Sequence, residues 1–243
     1  MDKNVLYWTI ALFIIVRLVN AEEQVDFQTG QHVYTFEGEI NRTIRCQYLL
    51  YLPKDYTTAK KWPLILYLHG GIGRGDDIEK MKWYPVVKIC SNDDSLPFIV
   101  LSPQCPAGES WTDHEMLITL LRNVISKHSV DTDRIYLAGY SMGGQGVWFL
   151  AYMYPERFAA IAPMSGVGNK FWASKLIHTP IWAFHGEKDN LIPCTETLEM
   201  AEAIEAAGGY IKVSIDPTRG HSPPSAREHE ALFKWFLEQK RHD

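Results

Sequence analysis

One short stretch of the chain, residues 135–144, reads IYLAGYSMGG. Its first four residues are apolar, as in a strand covered on both faces, and Gln145–Met153 continues with a helical pattern. Between them lies Gly-x-Ser-x-Gly, in which Gly139 and Gly143 leave room for a sharp turn around Ser141. This order disfavours an ordinary glycine-rich turn. It predicts that the Ser141 hydroxyl lies at a helix N-terminus as a candidate nucleophile, where developing negative charge is stabilised.

Eight short segments have strand patterns. Segments that are apolar throughout predict a parallel sheet covered on both faces, and alternating segments predict an antiparallel edge. The apolar segments are Leu64–Leu68, Phe98–Leu101, Ile135–Ala138, Phe158–Ala162 and Ile181–Phe184. The alternating segments are Val33–Ile40 and Ile44–Leu52, and the candidate last strand is Ile211–Ile215.

Helical apolar spacing recurs between these strands. One helix is predicted over Leu117–Ile125, with Thr112 and Glu115 as a candidate capping box. Others are predicted over Gln145–Met153, over Leu198–Ile204 before Gly208-Gly209, and over Ala231–Phe236 after Pro223-Pro224. The alternation predicts one doubly wound α/β domain, with a mostly parallel sheet of about eight strands and helices on both faces.

The composition is that of an ordinary globular domain. Hydrophobic residues make up 46% of the chain and charged residues 22%, with a formal charge of −5 and a pI near 6.0. Without a basic excess or stripe, a nucleic-acid partner is not expected. No Cys or His pair has zinc-site spacing, so no metal site is predicted. The sequence leaves the oligomeric state open.

The N-terminus has the pattern of an export signal. Val5–Val16 is mostly apolar, and the small-residue segment Val19-Asn20-Ala21 follows, which predicts a signal peptide over residues 1–21. The apolar run is too short to span a bilayer comfortably and ends at Arg17, although an uncleaved anchor is the alternative. We therefore expect a secreted or periplasmic protein without stable membrane insertion, whose catalytic domain comprises residues 22–243.

Four cysteines remain after the predicted cleavage site: Cys46, Cys90, Cys105 and Cys194. An exported protein can keep disulfides, and four cysteines allow three full pairings. Four buried thiols are equally compatible with the sequence, because a core of this size does not require disulfides.

A serine hydroxyl becomes a nucleophile only beside a base, and the base needs an acid to orient it. Asp189 lies in the loop after the fifth apolar segment, at the edge of the sheet where catalytic groups collect, and Glu187 is the competing carboxylate. The base is predicted to be His221, between the last strand and the last helix. His229 and His242 are instead expected to be solvated surface residues.

Residues 69–75, HGGIGRG, follow the first apolar segment. An oxyanion hole needs two backbone N–H groups that face the carbonyl under attack. We expect one from Met142, and the other from Gly71, with Ile72 as the second choice. His69 is expected to support the loop without reacting. A phosphate cradle is the alternative, but the stretch lacks the P-loop ending and the G-x-G-x-x-G spacing.

Together, His69-Gly70-Gly71, Gly139–Gly144, His185–Asp189 and Gly220-His221 resemble the α/β-hydrolase superfamily. Within it, the chain is similar to phospholipase/carboxylesterase, dienelactone-hydrolase-like and polyhydroxybutyrate-depolymerase-like esterases. Feruloyl esterases, acetylxylan esterases and prolyl-oligopeptidase-type domains occur among similar sequences. The resemblance covers nearly all of the chain after residue 21. Dienelactone hydrolases carry a cysteine nucleophile, so Ser141 argues against that activity.

These residues predict hydrolysis of carboxylic esters through an acyl-enzyme, without a cofactor. Fewer than twenty residues separate Ala162 from Ile181, and 31 residues lie between Asp189 and His221, so no lid domain is expected. An open site is suited to short-chain esters or to esters on a polymer. Acetyl or feruloyl groups on plant polysaccharides are the favoured substrates of the second kind.

Ile72 and Trp111 are candidate substrate-pocket residues. Trp148 and Trp172 could add to an aromatic acyl pocket, and ordinary packing is the alternative for each tryptophan. A prolyl-oligopeptidase-type peptidase would use the same triad, but we expect no room for the gating domain that such enzymes carry. A non-enzymatic protein of this fold would be expected to lack a triad residue, and none is missing here.

Overall fold

The computed structural model describes residues 42–92 and 96–241, which contain seven of the eight predicted strands. The predicted signal peptide, the segment Val33–Ile40 and His242 lie outside these residues. The strands are β1 (Tyr48–Tyr51), β2 (Trp62–Leu68), β3 (Ile99–Pro103), β4 (Val130–Tyr140), β5 (Ala160–Met164), β6 (Ile181–Gly186) and β7 (Ile211–Asp216).

The strands form one sheet in the order β1-β3-β2-β4-β5-β6-β7. β1 pairs antiparallel with β3 at one edge, as the alternating pattern of Ile44–Leu52 predicted. All other neighbouring strands pair in parallel. The prediction of a mostly parallel sheet is therefore confirmed.

Helices cover both faces of this sheet. They are α1 (Pro85–Asn92), α2 (His114–Lys127), α3 (Met142–Met153), α4 (Ala173–Leu176), α5 (Thr195–Ala206) and α6 (Ala226–Glu238). Residues of α2, α3, α4 and α5 share one buried apolar cluster, whereas residues of α1 and α6 share a second cluster. None of the helices in the described part of the chain is long and apolar enough to cross a membrane.

The apolar sequence of β2 follows from its position in the middle of the sheet. Successive side chains of a strand point to opposite faces, so Leu64 and Leu66 enter the first cluster, whereas Ile65 and Tyr67 enter the second. Because helices cover both faces, every position in β2 is buried.

The N-terminus of α2 differs from the prediction. Asp113, not Thr112, caps this helix, because its carboxylate accepts a hydrogen bond from the Met116 N–H at 3.1 Å. A reciprocal capping box instead begins α6, between Ser225 and Glu228.

The prediction that His229 is solvated was also wrong. His229 is buried on the inner face of α6, where it lies one turn before Phe233. Its Nδ1 donates a hydrogen bond to the Ser225 carbonyl at 2.9 Å. Since residues four positions apart share a helix face, the apolar spacing of α6 extends back to this histidine.

Candidate active site

The three predicted catalytic residues follow different strands. Ser141 directly follows β4, Asp189 follows β6, and His221 follows β7. These parallel strands end at the same edge of the sheet, which brings the three side chains into contact. The Ser141 hydroxyl donates a hydrogen bond to His221 Nε2 at 2.8 Å, and His221 Nδ1 donates to Asp189 Oδ2 at 2.7 Å.

The backbone at Ser141 makes an unusually tight turn. Its φ of 58° and ψ of −118° lie outside the helical and strand regions. A Cβ atom on Gly143 would overlap the Leu68 carbonyl, and one on Gly139 would lie 2.5 Å from the Gly143 carbonyl oxygen. Both glycines are therefore required by the close approach of backbone segments. The Ser141 N–H donates to the Met164 carbonyl at 2.8 Å, which ties the turn to β5.

The Asp189 carboxylate is buried and accepts three hydrogen bonds. Oδ1 accepts from the N–H groups of Leu191 and Ile192, each at 2.9 Å, and Oδ2 accepts from His221. Burial raises the pKa of Asp189, but the hydrogen bonds outweigh it and the net pKa lies below the usual range. The carboxylate is thus ionised at neutral pH. Glu187, the competing acid, is exposed to solvent.

A second histidine, His185, lies beside the same carboxylate, and its role was not predicted. His185 is fully buried, and its Nε2 lies 3.3 Å from Asp189 Oδ2. Nε2 also donates to the Ile192 carbonyl at 2.9 Å, and Nδ1 hydrogen-bonds to the Thr197 hydroxyl at 2.8 Å. His185 therefore joins the loop that carries Asp189 to α5. A polar residue inside an otherwise apolar strand was the available signal.

The glycine-rich loop after β2 lies against the nucleophile. A Cβ atom on Gly70 would lie 3.3 Å from the Ser141 Cβ, so the loop backbone packs directly on this side chain. Gly71 begins a short 3₁₀ turn, Gly71–Gly73, and Met142 begins α3. The first N–H groups of a helical turn have no acceptor within that turn, which leaves them available to a ligand.

His69 supports this loop from beneath. The side chain is fully buried; Nδ1 donates to the Gly70 carbonyl at 2.6 Å, and Nε2 accepts from the Cys105 N–H at 2.9 Å. The Trp111 indole N–H donates to the His69 carbonyl at 2.8 Å. Burial lowers the pKa of His69 to about 4, so the imidazole is neutral near pH 7.

Two further side chains hold the loop and were missed in the sequence. The Tyr84 hydroxyl donates to the Gly70 carbonyl at 2.8 Å and accepts from the Gly73 N–H at 3.0 Å. The Gln104 side-chain amide donates to the Gly73 carbonyl at 2.9 Å. Their positions along the chain give no signal of this role, because they reach the loop from distant elements.

A cleft of about 220 Å³ opens beside Met142. Its lining residues are Ser110, Trp111, Thr112, Met142, Gln145, Gly146, Phe149 and Trp172. Trp148 is fully buried and Ile72 is 90% exposed, and neither lines this cleft. A larger cavity, of about 680 Å³, lies at the amino ends of β5 and β6, away from Ser141.

The low pKa of His69 predicts an acid-dependent loss of stability. As the pH falls from 6.5 towards 4, the unfolded chain binds a proton at this histidine and the folded chain does not. This difference should lower the free energy of unfolding by up to about 3 kcal/mol between pH 7 and pH 4. Urea unfolding across this range should show a shallower pH dependence in His69→Gln than in the wild-type protein.

The matched control is His178→Gln, because His178 is exposed in a loop before β6. That variant should keep the wild-type pH dependence. An NMR titration of the His69 ring gives an independent measurement, should the His69 variant be too unstable for study. An ordinary histidine titration near pH 6.5 in the folded protein would contradict this prediction.

The chain is similar in sequence and structure to known proteins. The dienelactone hydrolase family model matches residues 110–230. The bifunctional acetylxylan esterase/xylanase XynS20E of Neocallimastix patriciarum is 30% identical over 152 residues, which are 59% of this chain and 21% of that protein. Feruloyl esterase B of Neurospora crassa is 28% identical over 144 residues, which are 54% of this chain and 47% of that protein.

A solved structure described as a thermostable esterase is 26% identical to the chain, with a TM-score of 0.66. The match covers 80% of this chain and 59% of that one. The chain spans less than half the length of the two curated relatives named above. The sheet order, the turn around Ser141 and the similarity to this esterase structure show that the chain has the α/β-hydrolase fold.

Proposed function

We propose that the chain is a serine hydrolase that cleaves carboxylic esters through an acyl-enzyme. The observation that carries this proposal is the hydrogen-bonded series from Ser141 Oγ through His221 to Asp189. The similarity to an acetylxylan esterase and to feruloyl esterase B supports an ester substrate.

In the first step, Ser141 Oγ attacks the ester carbonyl carbon while His221 Nε2 takes the hydroxyl proton. The carbonyl oxygen becomes an oxyanion, which the N–H groups of Met142 and Gly71 stabilise. The C–O bond to the alcohol then breaks, and His221 returns its proton to the leaving alcohol. The product is an ester between the acyl group and Ser141.

In the second step, water attacks the acyl-enzyme and His221 takes its proton. The bond to Ser141 breaks, the proton returns to Oγ, and the free acid leaves. Throughout both steps, the ionised Asp189 keeps the proton of the neutral imidazole on Nδ1 and stabilises the imidazolium that forms. The chemistry requires no metal or organic cofactor.

We assign the cleft beside Met142 to the acyl group. It begins next to one of the two proposed oxyanion donors, and the rings of Trp111, Phe149 and Trp172 form much of its wall. Aromatic walls favour a flat or small apolar group. Acetyl and feruloyl groups attached to a polysaccharide are therefore the substrates that we propose.

Four large exposed apolar side chains lie on segments of the chain that also carry residues of the site, and we call them the apolar rim. Ile72, Trp83, Phe171 and Leu191 are between 67% and 90% exposed. Large apolar side chains that remain exposed on such segments are available for contact with another molecule. The rim supports a substrate in which the ester belongs to a larger molecule.

The position of each rim residue follows from a neighbour in the chain. Ile72 lies in the loop that packs on Ser141, and the Leu191 N–H binds Asp189. Phe171 directly precedes Trp172 of the cleft. Trp83 directly precedes Tyr84, whose hydroxyl holds the glycine-rich loop.

We also propose that the protein is exported from the cytoplasm, either to the outside of the cell or to a periplasm. The support is the sequence pattern of residues 1–21, an apolar run followed by a small-residue cleavage site.

Ser141→Ala should lower the turnover of p-nitrophenyl acetate by about 10⁴-fold or more, because the nucleophile is lost. A fluorophosphonate probe should label the wild-type protein and not the variant. Circular dichroism should show the same fold in both proteins. Turnover retained by the variant, or faster cleavage of a proline-linked anilide than of the ester, would overturn the proposed function.

The two candidate acids should differ sharply. Asp189→Asn should lower kcat by about 10³–10⁴-fold, because the amide favours the wrong tautomer of His221 and cannot stabilise its charged form. Glu187→Gln, two residues away, should leave kcat within about twofold, because its side chain is exposed. Steady-state kinetics on the same ester measure both. Equal losses in the two variants would contradict the assignment of Asp189.

The apolar rim should matter only for large substrates. The double variant Trp83→Ala with Phe171→Ala should lower kcat/KM on acetylated or feruloylated xylan by about tenfold, because contact with the polymer is lost. It should leave p-nitrophenyl acetate turnover unchanged. The control is Tyr210→Ala, since Tyr210 is 74% exposed. It lies at the amino end of β7, whereas the site lies at the carboxyl ends of the strands. Equal losses on both substrates would count against a polymer contact.

A further inference from the structure

The register of β1 and β3 places two cysteines opposite each other. Tyr48 faces Pro103 and Leu49 faces Ser102. Two residues beyond the Tyr48–Pro103 pair, the same register sets Cys46 against Cys105. The pairing continues past the strand ends, because the Gln104 N–H donates to the Gln47 carbonyl at 2.8 Å.

The type of pair also favours a close approach. Facing residues in an antiparallel ladder alternate between hydrogen-bonded and non-hydrogen-bonded pairs. Since Gln47 and Gln104 share a backbone hydrogen bond, Cys46 and Cys105 occupy a non-hydrogen-bonded pair. Cα atoms in such a pair are about 4.5 Å apart. This separation lies within the range of roughly 4.4–6.8 Å that a disulfide spans.

The two side chains lie on the same face of the sheet. Cys105 is buried within the apolar cluster that includes Leu101, and Cys46 packs against that same cluster. The Cys46 thiol also donates a hydrogen bond to the carbonyl of Gln104 at 3.4 Å, and Gln104 directly precedes Cys105 in the chain. Cys46 and Cys105 are both thiols in this structure.

The other two cysteines lie elsewhere. Cys90 packs against the second apolar cluster, on the opposite face of the sheet from Cys105. Cys194 precedes α5, in the connection that follows β6, and four strands separate β6 from β1. One of the three full pairings therefore contains a link that the fold supports.

We propose that Cys46 and Cys105 form a disulfide when the protein folds in an oxidising compartment. The oxidant is a small or protein disulfide, for which oxidised glutathione serves as the example. The Cys46 thiolate attacks one glutathione sulfur, which forms a mixed disulfide and releases the first glutathione thiolate. The Cys105 thiolate then attacks the Cys46 sulfur and releases the second. Two thiols are oxidised, one disulfide is reduced, and the two protons go to solvent or to the released thiolates.

The burial of Cys105 determines when the disulfide can form. Burial raises the pKa of the Cys105 thiol to about 11 in the folded protein, which leaves little thiolate for the second exchange. The link should therefore form during folding, before Cys105 is enclosed.

The disulfide would restrain the glycine-rich loop that follows β2. The Cys105 N–H donates to His69, and the Cys105 carbonyl accepts from the Gly75 N–H at 3.0 Å. Both ends of the loop are therefore hydrogen-bonded to the backbone of Cys105. A bond to Cys46 would fasten this backbone to the segment before β1. It would also restrict the unfolded chain by closing a loop of roughly 60 residues.

The direct test is peptide mapping. The full chain is refolded in a mixture of reduced and oxidised glutathione, the remaining thiols are alkylated, and the digest is analysed without reduction. We expect one peptide pair that joins Cys46 to Cys105. Cys46→Ser should remove this pair, and Cys194→Ser should leave it in place. Alkylation of both cysteines, or a link from Cys46 to Cys90 or Cys194, would overturn the proposal.

Thermal unfolding provides a second readout that does not depend on catalysis. Reductant should lower the unfolding midpoint of the oxidised wild-type protein by roughly 5–10 °C. It should not change the midpoint of Cys46→Ser, whose partly exposed side chain makes this a milder change than replacing the buried Cys105. An equal drop in the variant would also overturn the proposal. Because neither readout uses an ester, failure here is distinguishable from failure of the proposed function.

Discussion

The backbone reversal at Ser141 is the constraint on which the site depends. The chain must leave β4, turn with a positive φ and enter α3 while the Leu68 carbonyl lies against Gly143. Such a conformation costs of the order of 1–3 kcal/mol, and it persists because the surrounding sheet and helix over-determine it. In return, the hydroxyl stands at a fixed place beside the start of a helix. Every other group of the site is positioned relative to that point.

Burial disfavours the charged forms of Asp189 and His69 alike, but only Asp189 has hydrogen bonds that outweigh it. Asp189 stays ionised because two backbone N–H groups and His221 replace the water that it loses. His69 receives no compensating negative charge, so burial keeps it neutral and leaves it as a rigid brace for the glycine-rich loop. Near pH 7, the same edge of the sheet thus holds one ionised carboxylate and one neutral imidazole near the nucleophile. Local hydrogen bonds decide the difference.

Much of this arrangement could be predicted from the sequence. The apolar strands and the turn around Ser141 are local patterns, and the order of Ser141, Asp189 and His221 places each after a strand. The roles of Tyr84 and Gln104 could not be predicted, because they reach the glycine-rich loop from other elements of the fold. His185 was missed although its place in an apolar strand was a signal. Helix α1 was missed as well, since it has only eight residues and its apolar spacing is brief. The helix face of His229 was misjudged because a histidine carries no clear preference for the inside.

The two groups of residues around the site have different structural settings. The proposed reacting groups follow the ends of parallel strands and are joined by hydrogen bonds, whereas Ile72, Trp83, Phe171 and Leu191 project from connecting segments into solvent. Substitutions among the four projecting residues need not disturb the sheet, because they have few neighbours to repack. Selection, or an engineer, can therefore change which molecules are recognised without rebuilding the catalytic groups. Changes in substrate preference should therefore begin in these connecting segments.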